Sequence, residues 1–168
     1  GVVLALGIMV PLIHFDRLIQ NIFSSFMGIS LGLIFTGTFI AIIYAYIVRF
    51  LTIAYGTIES GFSSLSPNMA MASRTLGKSQ IETLLKIELP IVRPAIIAAA
   101  LLVFVDSMKE LPATLLLRPF NFDTLSTHVY TYASLSAIED AALPALTIVL
   151  TGILPIILLN RTLMLKNK

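Results

Sequence analysis

The sequence predicts an all-α, polytopic transmembrane helix bundle. Three observations carry that prediction. Of the 168 residues 57% are hydrophobic and only 12% are charged, about half the charge of an ordinary soluble domain. Mean hydropathy is +0.95. The apolar residues also come in long runs separated by short polar stretches. Most of such a surface faces something other than water. A net charge of +2 is too small to suggest nucleic acid as a partner. No cysteine is present, which excludes disulfides, thiolate metal sites and a cysteine nucleophile. The apolar start has no basic n-region, so no cleavable signal peptide is read there. A first residue of Gly1 rather than Met suggests a piece of a longer protein.

One transmembrane domain is expected over residues 1–168. The apolar stretch 1–13 is shorter than the roughly 20 residues a span needs, and reads as a partial span. His14-Phe15-Asp16-Arg17 is the first polar break. A full span is expected over 22–48, where Gly28, Gly32 and Gly37 would let another helix approach closely. Thr36 and Thr38 can bond back to their own helix, and Tyr44, Tyr46 and Arg49 suit an interfacial end. Residues 56–66 read as a connection. Further spans are expected over 90–111, closed by Pro112, and over 141–163. Between them lies a second polar segment, 112–140, in which 125–135 could form a short helix.

Residues 59–89 form the connection on which the chain is organised. Residues 66–94 carry Arg74, Lys78, Lys86 and Arg93, four of the eleven basic residues. Ser66 is a good N-cap, and Pro67 suits the first helical position. The helix would run to Leu76, with Gly77 in the left-handed conformation that ends it. Ser79-Gln80-Ile81-Glu82 reads as a capping box for a second helix. Ile81, Leu84, Leu85 and Leu89 then share a face, and Pro90 begins the next element. With this segment inside, Arg49, Arg74, Lys78, Lys86, Arg93, Arg161, Lys166 and Lys168 are cytoplasmic, eight of the eleven basic residues. The C-terminus is cytoplasmic in that orientation, and 112–140 lies outside.

Two soluble functions have partial motifs here. Ala72 to Ser79 ends in Gly-Lys-Ser, but a P-loop needs a strand before it and glycine at Ala72. A DNA-reading helix pair over 68–89 would be held against the membrane by the adjoining spans. An amphipathic helix pair between two spans can instead dock a cytoplasmic partner or rest on the bilayer.

The residues of this pair resemble the signature loop of binding-protein-dependent ABC importer permeases. Its pattern is Glu-Ala-Ala, three residues, Gly, nine residues, Ile, one residue, Leu-Pro. Ala72, Gly77, Ile87 and Leu89-Pro90 fit it. Val103 to Pro119, Phe122 to Leu125 and Ala141 to Leu146 resemble the ferric-iron branch of that family. The resemblance covers essentially the whole chain. It implies a MetI-like (ABC type-1) permease fold with a cytoplasmic coupling-helix loop, in a multi-pass protein of the inner membrane. It also implies a cytoplasmic ATPase dimer, a periplasmic binding protein and a second permease half as partners. ATP would sit on the ATPase, with no cofactor or catalysis on this chain. The contact residues implied are Met71, Ala72, Ser73, Arg74, Gly77, Ile87, Leu89 and Pro90. Two depart from the pattern: Met71 replaces Glu, removing a polar contact, and Ser73 replaces the second Ala.

Asp106, Lys109 and Glu110 lie within two turns of Pro112 and share a face if the helix runs through them. Ionisable groups at that depth face a bundle interior and pair with one another. They can form an outer gate or an interhelical brace. His14, Asp123, His128, Tyr130 and Tyr132 supply hard ligand types for iron, without a ligand spacing that assembles them. A secondary transporter or channel would need a charged or broken helix at mid-membrane, whereas the central spans read as uncharged. Other solutes of the same family, or a truncated non-transporting remnant, are the remaining alternatives.

Overall fold

A computed structural model describes residues 1–27 and 34–166 of the chain. All regular structure among them is helical. The order is α1 (Val2–Met27), α2 (Phe39–Ser63), α3 (Pro67–Thr75), α4 (Gln80–Thr83), a π-helical turn (Leu84–Glu88), α5 (Leu89–Met108), α6 (Pro112–Leu117), α7 (Leu125–Ser134) and α8 (Ile138–Lys166). Among the described residues four helical stretches are long and apolar enough to cross a membrane: Val2–Ser25, Phe39–Ser63, Gln80–Met108 and Ile138–Ile157. The all-α reading therefore holds, and the boundaries of the first two spans are corrected. The chain divides into two compact units, Gly1–Phe50 with Asp106–Thr151, and Leu51–Val105 with Gly152–Lys168.

In the first unit, α1 runs unbroken through the His14–Arg17 break expected from the sequence. The turn comes later, before α2. Its cause is Asp16, which is only 4% exposed. Its carboxylate accepts the backbone N–H groups of Ile34 and Phe35 on one oxygen, at 3.0 and 2.8 Å, and that of Thr36 on the other, at 2.8 Å. Successive N–H groups converging on one carboxylate form an anion nest. The turn leaves these donors open, and the buried carboxylate satisfies them. A residue read as a span break is thus the acceptor that holds the turn ahead of α2. Gly37 lies in this turn with φ of 75°, so it is not a helix-contact glycine. Gly28 and Gly32 fall outside the described residues. Thr38 bonds back to the carbonyls of Ile34 and Phe35, but within this turn rather than in a helix of its own as expected.

The core of this unit is small-residue packing. Ala5 and Ile8 of α1 meet Ala41, Ile42 and Ala45 of α2, with Ala113 and Leu117 of α6 against them. Alanine at these points lets the helix backbones approach closely. Phe122 lies edge-on to Phe39, with ring centroids 4.8 Å apart, and this anchors the loop before α7. α7 begins with a capping box between Thr124 and Thr127, on the helix expected from the sequence.

In the second unit, α2 meets α5 at glycine. A Cβ on Gly61 would lie 2.5 Å from the Ala95 Cβ and 3.1 Å from Val92. α4 and α5 are joined into one stretch by the π-helical turn, where Leu89 N–H reaches back to the Leu84 carbonyl. The expected break at Pro90 is absorbed there. Proline brings no N–H to the ladder, and the wider turn re-registers the donors just before it.

Two stability measurements test these junctions. Asp16→Ala should lower the unfolding free energy of the detergent-solubilised protein by about 1–3 kcal/mol, the cost of buried N–H groups losing their acceptor. An unchanged denaturation midpoint would show that the turn closes without the carboxylate. Gly61→Val should cost about 1–3 kcal/mol by overpacking α2 on α5, while Gly56→Ala, which meets nothing within 4 Å, should be close to neutral in the same assay.

Candidate functional site

The segment between α2 and α5 is built by local signals that the sequence displays. Ser66 holds the N-cap position of α3 with extended φ and ψ, and Pro67 follows at the first turn, but the Ser66 side chain makes no capping bond. The C-terminus of α3 is a Schellman arrangement. Gly77 N–H bonds to the Arg74 carbonyl at 2.9 Å and Lys78 N–H to that of Ser73 at 3.2 Å. Gly77 has φ of 81°, a conformation costly for any residue with a Cβ. α4 then opens on a reciprocal capping box. Glu82 N–H donates to Ser79 Oγ, and Ser79 N–H donates to the Glu82 carboxylate. Lys86 Nζ lies 2.9 Å from Glu82 Oε1, one helical turn on.

These caps turn the chain sharply and set α3 against α4. Ser73 Oγ and Thr83 Oγ1 are 2.8 Å apart and both are buried. This explains one departure from the signature pattern. A serine at a small buried position needs a hydroxyl partner, and Thr83 is it. Thr83 also donates to the Ser79 carbonyl at 2.9 Å. The sequence reading missed Thr83. Its signal was a buried polar side chain at Ser73 that must be satisfied.

Most of the expected contact residues face outward. Met71 is 64% exposed, and Ala72, Arg74 and Gly77 are exposed beside it. Leu76 and Ile81 are 81% and 69% exposed. Leu84, Leu85, Leu89 and Pro90 continue this surface, and Ile87 is half-buried in the π-helical turn. The face of Ile81, Leu84, Leu85 and Leu89 is thus left open by the rest of the described chain. Ser73 is the buried member of the set. The Ala72–Ser79 stretch is a helix end followed by a helix start, without the strand that a phosphate loop needs.

The second candidate group, Asp106, Lys109 and Glu110, does not act together. α5 ends at Met108, so the face expected to hold all three stops short of Glu110. Lys109 and Asp106 form an exposed pair at 3.3 Å. Glu110 turns inward and its Oε2 pairs with Arg49 Nη2 at 2.8 Å, the two side chains being 3% and 31% exposed. Its Oε1 accepts the Ala113 N–H at 3.1 Å, at the start of α6. The Glu110 carbonyl accepts the hydroxyls of Thr114 and Ser126, both at 2.9 Å. Tyr46 Oη lies 2.7 Å from Thr114 Oγ1. The result is a buried polar network joining α2, α6 and α7. Arg49 stands within α2, in a stretch long and apolar enough to cross a membrane, which corrects the reading of the central spans as uncharged.

The hard-ligand candidates are not gathered. Asp123 pairs with Arg118 and accepts from Thr127 Oγ1. His128 lies against the Tyr132 ring, centroids 4.4 Å apart. His14 and Tyr130 are exposed on α1 and α7. Among the described residues no three of His, Cys, Asp and Glu come together.

Comparison with known proteins bears on what this arrangement is for. A family described as the binding-protein-dependent transport system inner membrane component matches residues 2–161. The Fe(3+)-transport system permease protein FbpB 2 of Haemophilus influenzae is 35% identical over 124 residues, covering 74% of this chain and 24% of that protein. The putative 2-aminoethylphosphonate transport system permease protein PhnV of Salmonella typhimurium is 29% identical over 117 residues, 70% of this chain and 43% of that protein. The spermidine/putrescine transport system permease protein PotC homolog of Mycoplasma genitalium is 32% identical over 114 residues, 62% and 40% of the two chains. The chain therefore spans less than half the length of each of these relatives. With a match over nearly its whole length, it belongs to the family of binding-protein-dependent transport system inner membrane components.

Proposed function

We propose that the chain is part of the membrane-spanning permease of an ATP-driven importer for ferric iron, with α3 and α4 as its docking element for a cytoplasmic ATPase. One observation carries the docking reading. The turn between α3 and α4 is capped on both sides, by the Gly77 arrangement and the Ser79–Glu82 box, yet the element presents Met71, Leu76, Ile81 and Leu85 to the outside. A capped, apolar, outward-facing helix pair suits insertion into a cleft on another protein. Ferric iron is supported by the relatives that carry that substrate in their names. Relatives named for 2-aminoethylphosphonate and for polyamines support the second reading, another small solute. The Arg49–Glu110 pair removes the sequence argument against a secondary transporter, so family membership carries that distinction.

In this reading, ATP binding closes the partner ATPase dimer, which moves α3 and α4. The continuous Gln80–Met108 helix transmits the movement into the bilayer. A periplasmic binding protein delivers the cargo and a second permease half completes the path. The α3–α4 side is cytoplasmic, with the C-terminus on that side. Arg49 no longer counts toward that orientation, but Arg74, Lys78, Lys86, Arg93, Arg161, Lys166 and Lys168 still do, seven of the eleven basic residues. Arg49 and Glu110 serve as a brace rather than a gate, because each of the Glu110 oxygens is already engaged.

Three experiments test this. Affinity-tagged full permease should retain its ATPase, and Gly77→Trp should cut retention about tenfold through the 1–2 kcal/mol strain of a side chain at positive φ. Equal retention would sink the docking reading. Met71→Glu should raise ATPase retention, since it returns an acidic contact; no gain would show that Met71 does not stand at that contact. Glu110→Gln should destabilise the protein by about 2–4 kcal/mol, because Arg49 loses its counter-ion, while Asp106→Asn should change stability by less than about 1 kcal/mol. Uptake of radioactive ferric iron, challenged with excess 2-aminoethylphosphonate or spermidine, decides the substrate: competition by either excess replaces iron with that solute.

A further inference from the structure

We infer that the foot of α5 holds an anionic phospholipid, with Arg93 binding its phosphate. Leu89, Pro90, Arg93 and Ile96 line a groove of about 360 Å³ in the second unit. Their spacing of four and three residues puts them on one helix face. Three of the four are apolar, and the one charge is an exposed guanidinium. Among the described residues Arg93 makes no ion pair, whereas Lys86, Lys109, Arg49 and Arg118 each do. The groove begins just after the π-helical turn, where the polar α3–α4 segment gives way to the apolar part of the Gln80–Met108 stretch.

Charge complementarity selects the occupant. A second protein helix packed on this face would bury the guanidinium unless it brought its own acid, at a cost of several kcal/mol. A phospholipid brings both parts in the order the groove presents them, a phosphate for Arg93 and an acyl chain for Leu89 and Ile96. Guanidinium matches phosphate with two parallel N–H donors. The headgroup is anionic rather than zwitterionic because the surrounding segment is basic. Arg74, Lys78 and Arg93 remain after Lys86 is matched by Glu82, against Glu88 alone, which is half-buried. Basic residues beside a span attract anionic lipid in this way. Leu89 and Pro90 are shared with the expected docking surface, whereas Arg93 and Ile96 lie beyond it, so Arg93→Gln should leave ATPase retention unchanged.

The test is a titration of the detergent-solubilised full permease with phosphatidylglycerol, followed by the rise in its unfolding midpoint, since a ligand of the folded state stabilises it. Arg93→Gln should weaken apparent affinity roughly fivefold, the worth of one basic residue near a charged surface. Arg93→Lys, which keeps the charge but not the paired donors, should bind more weakly than native and more tightly than Arg93→Gln, which separates lost charge from lost folding. Lys109→Gln, at the far end of the same helical stretch, should not change it. Ile96→Trp, which fills the groove while leaving the guanidinium, should also weaken binding. Equal affinity for native protein and Arg93→Gln overturns the proposal. So does equal stabilisation by phosphatidylcholine, which would mean a general detergent effect. Competition by millimolar inorganic phosphate would assign a free-anion site and overturn the lipid.

Discussion

A turn that is buried must find partners for the N–H and C=O groups it leaves open. The connections of this protein are arranged around that requirement. Asp16 answers it for the turn before α2, with three N–H groups on one carboxylate. Glu110 answers it before α6, with a side-chain oxygen for Ala113 and a carbonyl that takes two hydroxyls. In both cases the acid is nearly excluded from solvent. Water would satisfy the same groups at a soluble surface, and neither acid would be needed. The α3–α4 turns use short-range caps from Ser79, Glu82 and Gly77 instead.

That division also explains what could be read from the sequence. Ser79 and Glu82, Gly77, Pro67 and the helix after Thr124 act across three or four residues, and local pattern is enough to recognise them. Asp16 acts on residues 18 to 20 positions away, and Arg49 on one 61 positions away. No local pattern reports such a partner. A hydropathy reading sees Asp16 only as an interruption, so it broke α1 there and moved the next span toward the glycines. It placed Arg49 at an interface for the same reason, since a lone arginine is costly in a span and a paired one is less so. The shared face of Asp106, Lys109 and Glu110 assumed a helix that in fact ends at Met108.

The α3–α4 element shows how a family pattern and its exceptions become physical. Ser73 departs from alanine, and the cost of its buried hydroxyl is offset by Thr83. Met71 departs from glutamate on an exposed face, where nothing within the described chain requires either residue. The first departure is an internal matter of packing. The second concerns only what lies outside the chain. Met71 can therefore change without disturbing the fold, and Ser73 cannot change independently of position 83.

Two glycines, Gly61 before this element and Gly77 within it, obey different rules. At Gly77 the space is open and the backbone angle is positive. The objection to a side chain there is one of handedness. A residue of the mirror-image series, D-alanine, would sit at that φ without strain and would stiffen the turn. At Gly61 the backbone is ordinary right-handed helix and the objection is volume, because Ala95 occupies the place a Cβ would take. No choice of chirality relieves it. One position is constrained by the chain's own geometry and the other by its neighbour, although both are written with the same letter.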